Sequence, residues 1–192
     1  MQTTELRVAP QGLSGAYCYD CLGFFPWDVV SHDAADTFDC PNCGVSVGQH
    51  FWHTGITSDG ALFADNRHVY ASSWFHSTTN PDWLSSVQNA GQVPLVHVGS
   101  RMASKQRHSN LRKSGVNEPF YLYETRLNAS VSLCDGFVDD DNDDAPKLVG
   151  EVAGPQYDTF GATRYVNAYE HIGSVSLLVN PAGLSLVKRT LL

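Results

Sequence analysis

The stretch that decides the fold of the first part of the chain is Cys18-Tyr19-Asp20-Cys21, followed after eighteen residues by Cys40-Pro41-Asn42-Cys43. Two residues between paired cysteines let both thiolates turn toward one ion, and two such knuckles complete a tetrahedral all-sulfur shell. Gly23 and Gly44 follow the pairs and Pro41 lies inside the second, which suits tight turns around a metal. The spacing predicts a zinc ribbon over residues 16–50, with Cys18, Cys21, Cys40 and Cys43 holding one structural zinc. Two disulfides, or iron bound as in a rubredoxin, are the alternatives for the same four residues. A closed four-cysteine shell leaves no open coordination position, so its expected role is to staple a segment too short to build a core. Phe24-Phe25-Pro26-Trp27, between the knuckles, reads as ribbon core or as a contact surface. Residues 1–15 read as a flexible lead-in, and Cys134 as a plain buried thiol.

Composition bounds the rest. Of 192 residues, 42% are apolar and 17% charged, which is globular rather than disordered. No apolar run approaches the ~18 residues of a membrane span. Met1-Gln2-Thr3-Thr4-Glu5 has neither a basic start nor an apolar core, so a cytoplasmic protein without membrane partners is expected. Residues 1–60 carry seven acids and one base, which argues against nucleic acid as a partner of the ribbon itself. Five of the twelve bases fall between Arg101 and Lys113 with no acid among them, leaving room for one local anion site. Asp139-Asp140-Asp141-Asn142-Asp143-Asp144 lacks the glycine and terminal glutamate of an EF-hand loop and reads as solvated.

Residues 51–192 read as a second, α+β domain. Strands are expected at Val69–His76, Pro94–Val98, Phe120–Leu127, Leu148–Val152, Ser174–Val179 and Leu184–Lys188. Asn80-Pro81-Asp82 starts a helix that Gly91 closes, and Gly99-Ser100 starts another that stops near Gly115. Early helices followed by strands do not make a βαβ series. There is no P-loop, no GxGxxG and no serine nucleophile elbow.

Trp74-Phe75-His76-Ser77-Thr78 resembles the first-strand motif of the ADP-ribosyltransferase superfamily, in the branch of diphtheria toxin and the poly(ADP-ribose) polymerases. There an apolar strand ends in His-x-Ser/Thr or His-Gly-Ser/Thr. Val96-His97-Val98-Gly99-Ser100-Arg101-Met102-Ala103-Ser104 is similar to that family's second strand running into a helix of small residues. Tyr165-Val166-Asn167-Ala168-Tyr169-Glu170, with Gly173-Ser174-Val175-Ser176 beyond it, is placed like the segment of the catalytic glutamate. The three motifs occur in the family's order across about 120 residues.

The resemblance implies a split β-sheet domain with short helices that cleaves NAD at its nicotinamide–ribose bond. ADP-ribose would pass to a protein or nucleic-acid acceptor. That chemistry must hold the dinucleotide bent, grip the ribose hydroxyls and place a carboxylate by an oxocarbenium-like ribose. His76 inherits the ribose contact and shares the catalytic role with Glu170, while Ser77 and Thr78 assist binding. His97 stands where the family has a tyrosine that stacks on nicotinamide, and Tyr121 or Tyr123 can supply the missing ring. Ser100 and Arg101 lie where the pyrophosphate would pass, with Lys105 and Arg107 as further basic residues. Ala168, two residues before Glu170, argues against arginine as acceptor. A non-catalytic nucleotide- or partner-binding module, and an RNA 2′-phosphotransferase on the same fold, are the competing readings.

Overall fold

The computed structural model describes residues 7–10, 15–18, 21–26, 37–48, 52–90, 95–139, 161–167 and 170–192. Its first part is built on two antiparallel hairpins. Strands β1 (Gly15–Cys18) and β2 (Phe24–Pro26) flank the first cysteine pair, and β3 (Thr37–Asp39) and β4 (Ser46–Gly48) flank the second. Strand β5 (Trp52–Gly55) adds antiparallel to β1, so this sheet takes its third strand from beyond residue 50. Residues 7–9, expected in a flexible lead-in, are tied to the same region. The Ala9 N–H donates to the Ile56 carbonyl at 2.8 Å, the Ile56 N–H donates to Arg7 at 3.0 Å, and Ala9 is buried. Backbone pairing of this kind gives an otherwise unremarkable sequence a fixed place.

The remainder is a mixed α+β arrangement of two sheets. Helices α1 (Ser58–Ala61) and α2 (Asn66–Ala71) precede strand β6 (Trp74–Thr78), which leads to α3 (Trp83–Asn89). Strand β7 (Val96–Val98) runs into α4 (Arg101–Lys113), followed by β8 (Tyr121–Leu127) and β9 (Ser132–Asp139). Strands β10 (Gly161–Val166), β11 (Val175–Val179) and β12 (Leu184–Leu191) follow. One sheet runs β12-β8-β6, all antiparallel. The other runs β7-β11-β10-β9, with β9 and β10 parallel. The sheets touch where Phe75 of β6 and Gly99 after β7 exchange backbone hydrogen bonds of 2.8 and 2.9 Å. A Cβ at Gly99 would come 2.5 Å from Ser176 Oγ, so any other residue would force that hydroxyl to turn away. One core of Trp74, Val98, Leu177 and Val179, with Trp83 and Tyr123, serves both sheets.

Three departures from the expected elements have physical causes. Residues 69–71 are helical, not the start of a strand: Asp65 accepts the Arg67 N–H at 2.9 Å, and Val69 is buried on the helix it caps. Packing here overrides the β-preference of Val69 and Tyr70. Strands β9 and β10 were not expected, because Gly136 and the buried Arg164 break their apolar patterns. Arg164 is carried inside β10 by the Cys134 carbonyl, at 3.0 Å, and by the Asn66 side chain. The expected strand at Leu148–Val152, the Asp140–Asp144 loop and Trp27 lie outside the described residues. Among the described residues, no helix is long and apolar enough to cross a membrane.

Candidate functional site

The four cysteines converge. Their sulfur atoms all lie within 4.8 Å of one another. Cys21 and Cys40 are separated by 3.7 Å and Cys18 and Cys43 by 4.0 Å, sulfur to sulfur. A tetrahedral thiolate shell with bonds of about 2.3 Å puts its sulfurs about 3.8 Å apart, whereas a disulfide needs about 2 Å. The cluster therefore fits one metal ion, and no disulfide joins its cysteines.

Both knuckles use the same backbone design. The Leu22 N–H donates to Cys18 O at 2.9 Å and the Gly44 N–H to Cys40 O at 2.8 Å. Cys18 and Cys40 return bonds to Gly23 and Val45. The residue after each second cysteine takes a left-handed conformation, with φ of +57° at Leu22 and +71° at Gly44. Glycine serves this purpose in the second knuckle, but in the first Leu22 bears it and not Gly23. The Asn42 side chain, then the Gly23 N–H, hold the Cys21 thiol down to about 6, so it is a ready thiolate at neutral pH. The Val45 N–H also favours the Cys43 thiolate, but desolvation and three neighbouring thiols outweigh it and push Cys43 up to about 12. Four sulfurs this close become fully ionised only around a cation.

The second constellation sits where the two sheets meet. His76, on β6, stacks face to face on Trp83, with ring centroids 4.1 Å apart and planes 9° from parallel. Its Nδ1 lies 2.9 Å from the His97 carbonyl. A carbonyl only accepts, so Nδ1 carries the proton. Burial holds the His76 pKa down to about 4, the charges of Arg107 and His97 add to that, and the His97 carbonyl opposes it. His76 is therefore neutral at physiological pH, and Nε2 is a lone-pair acceptor with no partner among the described residues.

His97, on β7, contacts β10 of the same sheet, past the intervening β11, through its own ring. Its Nδ1 is 2.9 Å from the Tyr165 hydroxyl, and the two rings meet edge to face at 5.5 Å. Although His97 is exposed as a residue, crowding of the ring lowers its pKa, and Arg107 adds to the effect. Arg107, on α4, also lies with Nη1 3.6 Å from Glu170 Oε1. The same helix grips the next residue: His171 donates its N–H to Gln106 Oε1 at 2.7 Å, and its Nδ1 is 2.9 Å from Ser100 Oγ. Ser100 Oγ also accepts the Ala103 N–H at 3.0 Å, which ties the His171 contact to the start of α4. His171 has φ of +50°, a conformation rare for a non-glycine residue, and these bonds maintain it.

The remaining expected residues are distributed unequally. Ser77 alternates with His76 along β6 and so faces the other side of the sheet; it is 2% exposed, and its hydroxyl has no partner among the described residues. Thr78 shares the His76 face, where its Oγ1 accepts the Asn80 N–H at 3.2 Å. Arg101 lies over the ring of Phe75, 6.0 Å from its centroid, and Phe75 points away from the His76 side. Tyr123 is not an open stacking surface: its ring is buried in the core, and its hydroxyl donates to Pro81 O while accepting the Trp83 N–H at 3.1 Å. Tyr121 is half-buried, with the Arg189 guanidinium 5.7 Å over its ring.

Two residues that matter here carried a readable signal. Arg107 follows the buried Ala103 and Ser104 by four and three positions and so extends their face of α4, although its own side chain is exposed. Trp83 opens the helix after β6, within reach of the strand's end. Compared with known protein families, with curated proteins and with solved structures, the chain matches none.

Proposed function

We propose that this chain is an NAD-dependent ADP-ribosyltransferase whose four-cysteine cluster holds a structural zinc. The observation that carries the reading is His76: a neutral imidazole with Nδ1–H committed to a backbone carbonyl and Nε2 left as an acceptor. A ribose hydroxyl is the donor such a group accepts from. The Arg107–Glu170 pair supplies what the rest of the dinucleotide requires, a cation for the pyrophosphate and a carboxylate for the charge that develops on the ribose. In this scheme the pyrophosphate competes for Arg107 and frees Glu170 to face the glycosidic bond as it breaks. Zinc is the natural occupant of an all-thiolate shell, and a reducing, cytoplasmic setting keeps such thiols available. The acceptor is a protein or a nucleic acid.

Incubation with labelled NAD and a cell extract tests this. Release of nicotinamide with label on a macromolecule is expected from the wild-type chain. In Glu170→Gln, turnover should fall by about two orders of magnitude or more while NAD affinity stays within a few-fold, as expected for a group that acts only on the transition state. No NAD consumption by either protein would favour the second reading, a non-catalytic nucleotide-binding module. Two observations speak for that alternative: Glu170 is already paired with Arg107, and His97 is tied to Tyr165.

A further inference from the structure

We infer that Trp83 is a positioning residue: its indole, anchored by Tyr123, sets the plane of the His76 ring so that Nδ1 stays on the His97 carbonyl and Nε2 stays open to a ligand hydroxyl. This rests on the reading of His76 as the ribose-binding group, but its first consequence is observable without any nucleotide.

A histidine ring has a broad, two-fold torsional preference about its last side-chain bond. Half a turn would replace Nδ1 with a carbon and break the bond to the carbonyl. The face-to-face contact at 4.1 Å blocks the perpendicular ring position through which such a turn must pass. Trp83 thus sets the plane, and the His97 carbonyl selects which of the two in-plane orientations is kept.

The indole can do this because it is itself held. Trp83 is buried and its ring meets the Tyr123 edge at 5.2 Å, while its backbone N–H, at the start of α3, donates to the Tyr123 hydroxyl. Asp82, at the N-cap of α3, makes no side-chain cap bond, and the Tyr123 hydroxyl serves in its place. Tyr123 is also the cross-strand partner of His76, which closes a triangle of three rings on two strands and a helix. Without the stack, the ring plane swings and the Nε2–H tautomer, which prevails in free histidine, becomes populated. A donor would then face a ligand hydroxyl where an acceptor is needed.

Nitrogen NMR of the chain labelled at histidine tests the inference, with His76 assigned by the signals lost in His76→Asn. Wild type should show His76 protonated at Nδ1 only. Trp83→Leu should shift its ring nitrogens toward a tautomer mixture, Trp83→Phe should restore the wild-type pattern, and Tyr123→Phe should fall between. NAD should perturb the Nε2 signal of wild type and bind about tenfold more weakly to Trp83→Leu, the scale of one hydrogen bond. Should Trp83→Leu fail to fold, Tyr123→Phe carries the test. An unmixed Nδ1–H tautomer in the folded variants overturns the positioning role. A wild-type chain whose locked His76 ignores NAD overturns the nucleotide reading instead.

Discussion

The Arg107 guanidinium lies 3.6 Å from the Glu170 carboxylate, and its charge also reaches the rings of His76 and His97. One exposed arginine therefore links the strand-end histidines to the glutamate turn. The pairing joins α4 to the β10–β11 connection, two elements far apart in sequence.

Replacing Arg107 by glutamine should raise the pKa of both histidines, because a nearby cation that opposes their protonation is removed. Proton NMR titration of wild type and Arg107→Gln checks the direction. Stability should change by less than about 1 kcal/mol, as is usual for an exposed ion pair.

Ser77 gives a test of which face of β6 serves the ligand. Its hydroxyl is buried without a partner among the described residues, a costly arrangement that alanine relieves. Ser77→Ala should leave stability unchanged or raise it by about 1 kcal/mol in urea unfolding, with NAD affinity unaltered. A large loss of affinity would show that Ser77 reaches the ligand after all.

Acid stability should depend on His76. Its pKa is about 4 in the fold against 6.5 in its ordinary state, so between these values the unfolded chain binds the additional proton. Stability is then complete above about pH 6.5 and declines as pH falls toward 4, by on the order of 2 kcal/mol once solvent at the half-buried ring is allowed for. Urea midpoints measured across this window should follow that slope. His76→Asn, which keeps a donor toward the His97 carbonyl but does not titrate, should flatten it.

The metal site predicts one zinc per chain with four sulfur neighbours near ~2.3 Å in X-ray absorption. Chelation should unfold the two hairpins and leave the core around Trp74 folded, which fluorescence and amide exchange can separate. Leu22→Gly relieves a left-handed leucine and should stabilise the first knuckle by roughly 1 kcal/mol, less the small apolar contact of a half-exposed side chain. An unchanged or weaker retention of zinc against a competing chelator would contradict this.

Sequence alone determined the features set by neighbours along the chain. The two-residue gaps of Cys18–Cys21 and Cys40–Cys43 oblige each pair to turn about one point. Ser100 with Gly115 bounded α4, and the alternation of residues 121–127 defined β8, since capping and strand period are local. Tertiary structure decided the rest. It put Ser77 on the far side of β6, spent Tyr123 on the start of α3, and selected Arg107 over Arg101 as the cation beside the histidines. It placed Leu22 in the turn that Gly23 was expected to form. It also carried Arg164 into the middle of a buried strand, where hydrogen bonds from distant segments replace water. Those outcomes depend on which faces two sheets and a helix turn toward one another, and residues far apart in sequence settle that together.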